Sequence, residues 1–491
     1  MTDKKRIRSL EKSSRVLEPN REEREGLHIA AENWLEAFLN ELPSKPAWRE
    51  PDGSVGYILK IPIPEKGRDL RSILSEVDNH ITPWGLNTAS GGDLGYIPGG
   101  GLVASAYGDL LAAVINPYAG VYASSPGAVN LEARLVQWMA GLIGFEGRSG
   151  GYLASGGSLA NLAAVVAARE HAGLSSGQFS KAVIYLTSQT HHCVTKALKV
   201  SGMSDALCRW IPVDARFRMD TEKLNRQVME DGANGLIPWM VVGSGGTTDS
   251  GAVDPLEAIA DVAESNRLWF HVDAAYGGFF LLTAQGRERL AGIERSDSVV
   301  MDPHKGLFLP YGLGALVVRQ EKHLLNTFQS KASYLQDTES ENPVHSPSDL
   351  SPELSKHFRS LRLWLPLQLH GVQPFRDALE EKLLLAQYAH QEIGRIDRME
   401  VGPEPDLSVF TFRYLPESGE TETFNRALHH FLLEDGSIFI SSTRLNGAYM
   451  LRAAILSFRT HLNEVDHFLD LIRRGVRELE SNQREDASSS T

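Results

Sequence analysis

An aspartate and a lysine each follow a short apolar run of the chain, and together they could bind a carbonyl cofactor. Asp273 ends the apolar part of HVDAAYGGFF (271–280), and Lys305 stands in MDPHKGLF (301–308). A lysine amine can form a Schiff base with an aldehyde, and a carboxylate can keep a pyridine nitrogen protonated so that the ring accepts electrons. Pyridoxal 5'-phosphate requires both groups. The pair therefore predicts a site for this cofactor.

The bulk composition is that of a soluble globular enzyme. Of the 491 residues, 42% are hydrophobic and 23% are charged, which is ordinary for such proteins. The formal net charge of −13 argues against a nucleic-acid partner, because phosphates require a basic face. Cys193 and Cys208 are too few for a disulfide framework and suit a reducing compartment. The N-terminal residues lack the apolar segment of a secretory signal, and the apolar runs are too short to span a bilayer. We therefore expect a cytoplasmic protein that does not contact membranes.

Between about residues 103 and 360, short β-branched runs alternate with helical stretches. This alternation predicts βαβ units and a mostly parallel central sheet flanked by helices. The predicted strands are 182–187, 239–243, 268–272, 298–301 and 313–319. Asp254 is predicted to cap a helix whose first residue is Pro255. Asp273 and the segment 302–305 then follow neighbouring strands at their carboxyl ends, where open α/β sheets bind their ligands.

Changes of pattern along the chain predict three structured regions and a tail. Residues 1–102 should form an N-terminal helical arm with a Gly- and Pro-rich passage at 82–101, which is either a substrate loop or a connector. Residues 103–361 should form the large cofactor-binding domain. Residues 362–480, with helical and then strand-like periodicity, should form a smaller α+β domain. The polar residues 481–491 are predicted to be a disordered tail.

A glycine-rich helix start is the candidate phosphate site. In ASGGSLANL (154–162), Gly156 and Gly157 permit a close backbone approach. Ser158 could cap the helix and present its hydroxyl group and free N–H groups to an anion. Alone, this pattern more often indicates plain capping. Together with Asp273 and Lys305 it predicts the cradle of the cofactor phosphate.

Two further segments contain candidate side chains. His191 and His192 follow the strand 182–187, and either imidazole could stack on a ring or transfer protons, although a packed or surface position is the simpler interpretation of each alone. Thr248 could offer its hydroxyl to the cofactor or could belong to a turn of small residues. A metal site built from these histidines and the two cysteines lacks recognisable ligand spacing. We therefore predict no metal.

These motifs resemble those of the group II pyridoxal phosphate-dependent decarboxylases, which include aromatic-L-amino-acid, histidine and glutamate decarboxylases. The resemblance extends from about residue 85 to 460, with HVDAAYGG, DPHK and SPGAVNLEARLVQWMAGLIG (125–144) as its most specific motifs. It implies the fold-type I architecture of pyridoxal phosphate enzymes. By position, it implies that Lys305 forms the Schiff base, that Asp273 is the partner of the pyridine nitrogen, and that His191 stacks on the ring. The further cofactor contacts that it implies are Gly157, Ser158, Thr248, Ala275 and His304.

The resemblance also bears on the type of reaction. Tyr334, in SKASYLQD (330–337), stands where aromatic-amino-acid decarboxylases have a mobile-loop tyrosine that is thought to return a proton to the substrate. Members of the family that form an aldehyde tend to have Phe at this place.

Asp302 replaces the Asn that is common in the animal enzymes. An acidic side chain near a phosphate is unfavourable unless it points away or is paired.

We therefore expect a carboxy-lyase that converts an L-amino acid into a primary amine and CO2. Tyr334 is the first candidate for the proton donor, with His191 and the released Lys305 as alternatives. Two rival functions keep the cofactor: an oxidative deaminase that forms an aldehyde, and a carbon–carbon lyase. A third rival is a non-catalytic protein on the same fold, and the intact set of site residues argues against this third one. The resemblance implies a homodimer with active sites near the subunit interface. The sequence does not identify the amino acid.

Overall fold

An N-terminal arm precedes the sheet on which the predicted site lies. In the computed structural model, which describes residues 3–330 and 344–489, the first two helices of the arm bury no residue. The regular elements of the arm are α1 (Lys4–Ser14), α2 (Arg21–Glu41), β1 (Trp48–Arg49), α3 (Leu70–Glu76) and β2 (Gly85–Leu86). Helices in proteins are stabilised mainly by burial of an apolar face. The described part of the chain leaves the apolar residues of α1 exposed and covers those of α2 only in part. No helix in the described ranges is both long and apolar enough to cross a membrane.

The large domain is built on a seven-stranded sheet. Its elements are α4 (Val103–Ile115), α5 (Pro126–Ile143), β3 (Gly150–Ala154), α6 (Gly157–His171), β4 (Ala182–Thr187), α7 (Cys193–Val200), β5 (Leu207–Ile211), α8 (Thr221–Ala233), β6 (Ile237–Ser244), α9 (Leu256–Asn266), β7 (Trp269–Asp273), α10 (Ala284–Arg289), β8 (Ser298–Met301), α11 (Pro303–Gly306), β9 (Gly314–Val318), α12 (Lys322–Phe328) and α13 (Pro347–Leu350). The strand order is β3-β9-β8-β7-β6-β4-β5. Strand β9 runs antiparallel to both of its neighbours, and the other neighbouring pairs are parallel. The predicted mostly parallel sheet is confirmed.

Alternate residues of the central strands point to opposite faces of this sheet and enter separate cores. On β6, Val241 packs in the core shared with α5, α8 and α9, whereas Met240 and Val242 pack in the core shared with α6 and α7. Helices therefore cover both faces. This arrangement explains why the strands read as continuous apolar runs in the sequence.

The predicted strands agree closely with the observed ones, but the predicted helix cap is wrong. Strands β4 and β8 have the predicted bounds, and β6, β7 and β9 differ from them by one or two residues at each end. Helix α9 begins at Leu256, and Pro255 is its N-cap. The Asp254 carboxylate instead accepts hydrogen bonds from the backbone N–H groups of Met219 (2.7 Å) and Ser244 (2.8 Å). Burial raises the pKa of Asp254 to about 6, although these bonds oppose the rise.

A smaller antiparallel sheet forms the C-terminal part of the chain. Helix α14 (Ser360–His370) comes before this sheet in the chain and packs against α4 and α5 in the core of the large domain. The small sheet and the helices around it are α15 (Gln373–Gly394), β10 (Met399–Val401), β11 (Val409–Tyr414), α16 (Thr421–Asp435), β12 (Ser441–Leu445), β13 (Ala448–Ala454) and α17 (Leu462–Ser489). The strand order is β10-β11-β13-β12, and the sheet has its own apolar core with α15, α16 and α17. Helix α17 extends to Ser489, through most of the segment for which the composition predicted a disordered tail.

The glycine-rich passage at 82–101 is packed between the small domain and the segment that contains Lys305. A Cβ atom on Gly92 would lie 2.0 Å from the carbonyl oxygen of Ser437, and one on Gly99 would lie 2.2 Å from the carbonyl oxygen of His304. No side chain fits at either position. The glycines therefore allow this passage to join the small domain to the predicted site.

Candidate active site

One cavity of about 300 Å³ joins the predicted site residues. Every predicted residue that falls within the described ranges lines it: Gly157, Ser158, His191, Thr248, Asp273, Ala275, His304 and Lys305. Tyr334 lies outside the described residues. Since these residues come from segments scattered over 149 positions of sequence, from 157 to 305, the fold alone brings them together.

The carboxyl ends of the parallel strands explain this convergence. Asp273 is the last residue of β7, and Lys305 lies in α11, directly after β8. His191 and Thr248 lie in the turns that follow β4 and β6. Parallel strands present their carboxyl ends at one edge of the sheet, so the turns that follow them share a crevice.

The amine of Lys305 is held by a carboxylate. Its Nζ lies 2.9 Å from Oδ2 of Asp302. Burial by itself would lower the pKa of Lys305, but the charges of Asp302 and Asp273 and the hydrogen bond to Asp302 outweigh this effect and raise it. A Schiff base requires the neutral amine. The ion pair with Asp302 must therefore change when Lys305 reacts.

Asp302 is buried between this lysine and the start of α6. Its Oδ1 atom has no hydrogen-bond partner among the described residues. A Cβ atom on Gly157 would lie 2.8 Å from Oδ2 of Asp302, and one on Gly314 would lie 2.5 Å from Oδ1. An acidic side chain near a phosphate has to be paired or to point away, and in the structure Asp302 is paired with Lys305.

Asp273 has neutral hydrogen-bond donors instead. The backbone N–H of Ala275 donates to its Oδ1 (3.1 Å), and Nδ2 of Asn161 donates to its Oδ2 (3.2 Å). The thiol of Cys193 lies 4.0 Å from the same Oδ2. Burial raises the pKa of Cys193, and the nearby charge of Asp273 adds to this effect. The carboxylate is therefore fixed at the cavity edge while the thiol stays neutral.

The start of α6 differs from the prediction in its cap. Gly156 is the N-cap, and Ser158 lies in the first turn without capping the helix. The side chain of Ser158 is exposed towards the cavity. It is thus free to face a ligand, together with the backbone N–H groups that a helix leaves unpaired at its N-terminus.

Of the two adjacent histidines, His191 lines the cavity, whereas His192 is exposed and is the N-cap of α7. Nδ1 of His191 accepts a hydrogen bond from the backbone N–H of Cys193 (3.3 Å). Burial lowers the pKa of His191, although the charge of Asp273 opposes the change. The ring is therefore neutral near pH 7, with its proton on Nε2.

His304 precedes Lys305 in α11, and a hydrogen bond to the backbone fixes its ring. Its Nδ1 donates a hydrogen bond to the carbonyl oxygen of Leu313 (2.6 Å). Burial lowers the pKa of His304, partly opposed by Asp302. Its Nε2 is 3.9 Å from Oδ2 of Asp302. The imidazole thus adds a polar atom beside Asp302 and the start of α6.

The wall around Thr248 is held by polar contacts that the sequence did not predict. Arg452, on β13 of the small domain, donates from Nε to the carbonyl oxygen of Thr248 (2.7 Å). Oγ of Ser250 donates to Oε1 of Gln189 (2.9 Å) and lies 2.8 Å from Oγ1 of Thr247. These bonds join the turns after β4 and β6 to each other and to the small domain.

Sequence reasoning missed Asn161 as a residue of the site. It follows Gly157 by one helical turn and lies on the buried side of α6, where its amide reaches Asp273. The spacing of four from a phosphate-site glycine, in an otherwise apolar helix, was the available signal. Gln189, Thr247 and Tyr276 also line the cavity, but no spacing in the sequence singles them out.

Comparison with known proteins decides the family. The model of the pyridoxal-dependent decarboxylase conserved domain matches residues 57–415. The chain belongs to the pyridoxal-dependent decarboxylase family. The predicted family and cofactor are thereby confirmed.

The following relatives match most of the length of this decarboxylase. It is 32% identical to an aromatic-L-amino-acid decarboxylase of Bacillus atrophaeus, over 92% of this chain and 95% of that protein. It is 30% identical to a phenylacetaldehyde synthase of Arabidopsis thaliana, over 83% of this chain and 88% of that protein. The crystal structure of Catharanthus roseus tryptophan decarboxylase in complex with L-tryptophan has a TM-score of 0.87 and 28% identity, over 94% of this chain and 99% of that one.

This decarboxylase is therefore a pyridoxal phosphate-dependent carboxy-lyase that converts an L-amino acid into the primary amine and CO2. The cavity has the chemical features that the cofactor requires. A lysine amine, a hydrogen-bonded carboxylate, a neutral imidazole and the start of a helix all face it. Gly157 has no side chain at the start of this helix, and a Cβ atom there would lie 2.8 Å from Oδ2 of Asp302.

Proposed function

We propose that Lys305 holds the cofactor as a Schiff base and that Asp273 is the partner of its pyridine nitrogen. The observation that supports this assignment best is that both residues line one cavity with His191 and the start of α6. Pyridoxal phosphate, when bound, supplies the ring system that accepts the electrons left behind as CO2 departs. The protein holds and orients the reactants and moves protons at defined atoms.

The start of α6 is the proposed phosphate site. Ser158 supplies a hydroxyl donor, Gly157 supplies a backbone N–H, and the helix dipole favours an anion there. His304 is close by, on the segment that contains Lys305. The start of α6 would thus hold the phosphate, and the carboxylate of Asp273 would face the pyridine nitrogen in the same cavity.

The amine of Lys305 has to lose a proton before it reacts, and Asp302, 2.9 Å away, is the group placed to stabilise the protonated form. Thr248 and Ala275 complete the proposed cofactor contacts, and His191 is proposed to stack on the ring. The neutral state of His191 suits this role, because a cation against the ring would repel the protonated pyridine nitrogen.

Tyr334 is the proposed donor of the proton that replaces CO2 on the substrate. Tyr334→Phe removes the acidic proton of this side chain and keeps its ring. The carbanion should then persist longer and oxygen should compete for it. Amine production should fall by at least about tenfold, and aldehyde, ammonia and hydrogen peroxide, to which the oxygen is reduced, should appear instead. The assay measures amine, aldehyde and CO2 from one reaction, with Tyr118→Phe, on the exposed surface after α4, as the matched control.

Unchanged amine production by the Tyr334 variant would exclude this donor and would make His191 the next residue to test. The same assay also separates decarboxylation from the oxidative reaction. A wild-type enzyme that formed mainly aldehyde would contradict decarboxylation to the amine. Aromatic L-amino acids are the first substrates to assay, because the relatives reported above are named for aromatic substrates or products. Glutamate, histidine and diaminobutyrate complete the panel.

We also propose that the enzyme is a cytoplasmic homodimer. Exposed apolar side chains on the N-terminal arm support the dimer, since Leu10 is 59%, Ile29 55% and Ile63 95% exposed in the single chain. Light scattering should give about twice the mass of 54.0 kDa. Leu10→Asp should weaken the dimer more than Lys12→Asp on the same helix. A fully active monomer would contradict this proposal.

The two free cysteines support a reducing compartment, which cell fractionation can test.

A further inference from the structure

A line of polar side chains lies on one face of β7, which is otherwise a buried apolar strand. Trp269, His271 and Asp273 alternate along this strand, so their side chains point to the same face, towards α6. Ser298 of β8 is directly opposite His271 in the parallel register. Asn161 of α6 lies above the same face. All five side chains are buried.

These side chains form one continuous hydrogen-bond chain that ends on Asp273. Nε1 of Trp269 lies 2.8 Å from Oγ of Ser298, and this oxygen lies 2.8 Å from Nδ1 of His271. Nε2 of His271 lies 2.8 Å from Oδ1 of Asn161. Nδ2 of Asn161 then lies 3.2 Å from Oδ2 of Asp273 and 2.9 Å from the carbonyl oxygen of Gly157.

The two ends of the chain fix the direction of its hydrogen bonds up to Nε2 of His271 on one side and up to Ser298 on the other. A carbonyl oxygen and a carboxylate only accept, so the amide nitrogen of Asn161 must face Gly157 and Asp273, and its oxygen must face His271. Nε2 of His271 therefore donates. At the other end, the indole of Trp269 only donates. The hydroxyl of Ser298 accepts from the indole and is free to donate to Nδ1 of His271.

The bond between Ser298 and Nδ1 completes the chain when His271 is neutral, with its one ring proton on Nε2. Burial lowers the pKa of His271 to about 4, even though the charge of Asp273 opposes the change. The neutral ring leaves Nδ1 free to accept from Ser298. In a doubly protonated ring Nδ1 would also donate, so the oxygen of Ser298 would face two donors, Nε1 of Trp269 and Nδ1 of His271, and its own proton would have no acceptor in this chain.

We infer that His271 is the positioning residue of Asp273, acting through Asn161, and that the chain from Trp269 holds the carboxylate in one orientation at the cavity edge. The inference rests on the proposed role of Asp273 as partner of the pyridine nitrogen. It gives the first residue of HVDAAYGG a function that its position on the strand alone does not reveal. His271 touches neither the cavity nor, in this proposal, the cofactor.

A matched pair of variants tests this inference. His271→Leu removes both ring nitrogens, whereas His271→Gln keeps an N–H group near the position of Nε2. By analogy with other residues that orient a catalytic group, the Leu variant should lose at least about tenfold in kcat. The Gln variant should stay within about threefold of the wild type. KM for the substrate should change little in either variant, because His271 does not line the cavity. Equal kcat in the Leu variant and the wild type would overturn the inference.

A spectroscopic measurement separates positioning from a purely structural role. The enzyme is loaded with pyridoxal phosphate that contains 15N in its ring, and the 15N NMR shift reports whether this nitrogen is protonated. Asp273→Asn should shift the signal to the unprotonated position. His271→Leu should move it in the same direction, and His271→Gln should leave it near the wild-type position.

The outcomes distinguish the two claims. If Asp273→Asn leaves the 15N signal unchanged, the proposed role of Asp273 fails, and the inference fails with it. If Asp273→Asn shifts the signal and His271→Leu does not, only the inference fails. Neutron diffraction of the wild-type holoenzyme provides a test that needs no variant to fold. Deuterium on Nε2 of His271 and none on Nδ1 is the expected result, and deuterium on Nδ1 would overturn the inference.

Discussion

The carboxyl ends of β7 and β8 place two buried aspartates in the same cavity, but the environments of the two carboxylates differ. Asp273 accepts hydrogen bonds from neutral groups, the amide of Asn161 and the backbone N–H of Ala275. Asp302 is 2.9 Å from the ammonium group of Lys305, and its other oxygen has no hydrogen-bond partner in the described part of the chain.

This difference indicates that the contacts of Asp273 can last through the reaction, whereas the ion pair of Asp302 depends on the charge of Lys305. The donors of Asp273 keep their protons whatever happens to Lys305, so this carboxylate can remain in place through a catalytic cycle. The ion pair of Asp302 is present only while the lysine is charged. Neutral donors therefore suit the group that faces the cofactor ring, and the ion pair suits the group that controls the reactive amine.

The largest expected effect comes from removing the amine. Lys305→Ala should abolish turnover, because no other lysine lines the cavity in the described structure. It also leaves Asp302 without its cation. Turnover is measured as CO2 release, with Lys223→Ala on the exposed face of α8 as the control. Substantial CO2 release by the Lys305 variant would show that this amine is not required.

Asp273→Asn should reduce kcat by about 100-fold or more, since a neutral amide cannot hold the proton on the pyridine nitrogen. The fold should persist because one of the two donors, Ala275 or Asn161, can still donate to the amide oxygen, although the other donor then faces the amide nitrogen. Asp302→Asn, assayed beside it, should have the smaller effect on kcat at saturating cofactor. The reverse order would contradict the roles assigned to the two aspartates.

Ser158→Ala tests whether the phosphate lies at the start of α6, on the side of the cavity where Asp302 packs against Gly157. Loss of one charge-assisted hydrogen bond should weaken cofactor binding by about 1.5–3 kcal/mol. The kcat at saturating cofactor should change little. Equilibrium dialysis measures the affinity, with the exposed Ser176→Ala as the control. Unchanged retention of the cofactor would place the phosphate elsewhere.

The smallest expected effect is a shift in pH dependence. The raised pKa of Lys305 keeps its amine protonated over a wider pH range, so cofactor attachment should speed up as pH rises through this pKa. Asp302→Asn removes the nearest negative charge and should lower this pKa. The midpoint of the pH profile should then move to lower pH. Stopped-flow absorbance of the cofactor-free enzyme mixed with pyridoxal phosphate measures the rates, and an unchanged midpoint would show that Asp302 does not control the amine.

The sequence predicted the elements that continuous apolar runs define. Strands buried on both faces read as such runs, which is why β4 and β8 were predicted with their observed bounds. The residues at their ends were predicted as site residues because parallel strands share one edge. The family resemblance then assigned a chemical role to each of these site residues.

Contacts between distant elements were beyond the reach of the sequence. Asp254 looked like a helix cap, but donors from Met219 and Ser244 reach it in the fold. The bond between Asn161 and Asp273 joins a helix to a strand more than a hundred residues away. Local patterns do not show which two residues of such a pair meet, because the fold as a whole sets the geometry that brings them together.

The central claim is that Lys305 carries the cofactor in this cavity, and trapping the Schiff base tests it most directly. The holoenzyme is reduced with borohydride and digested, and mass spectrometry locates the lysine that bears the reduced cofactor. The account predicts one modified lysine, in the peptide that contains DPHK, at Lys305. A reduced cofactor on another lysine, with Lys305 unmodified, would contradict it.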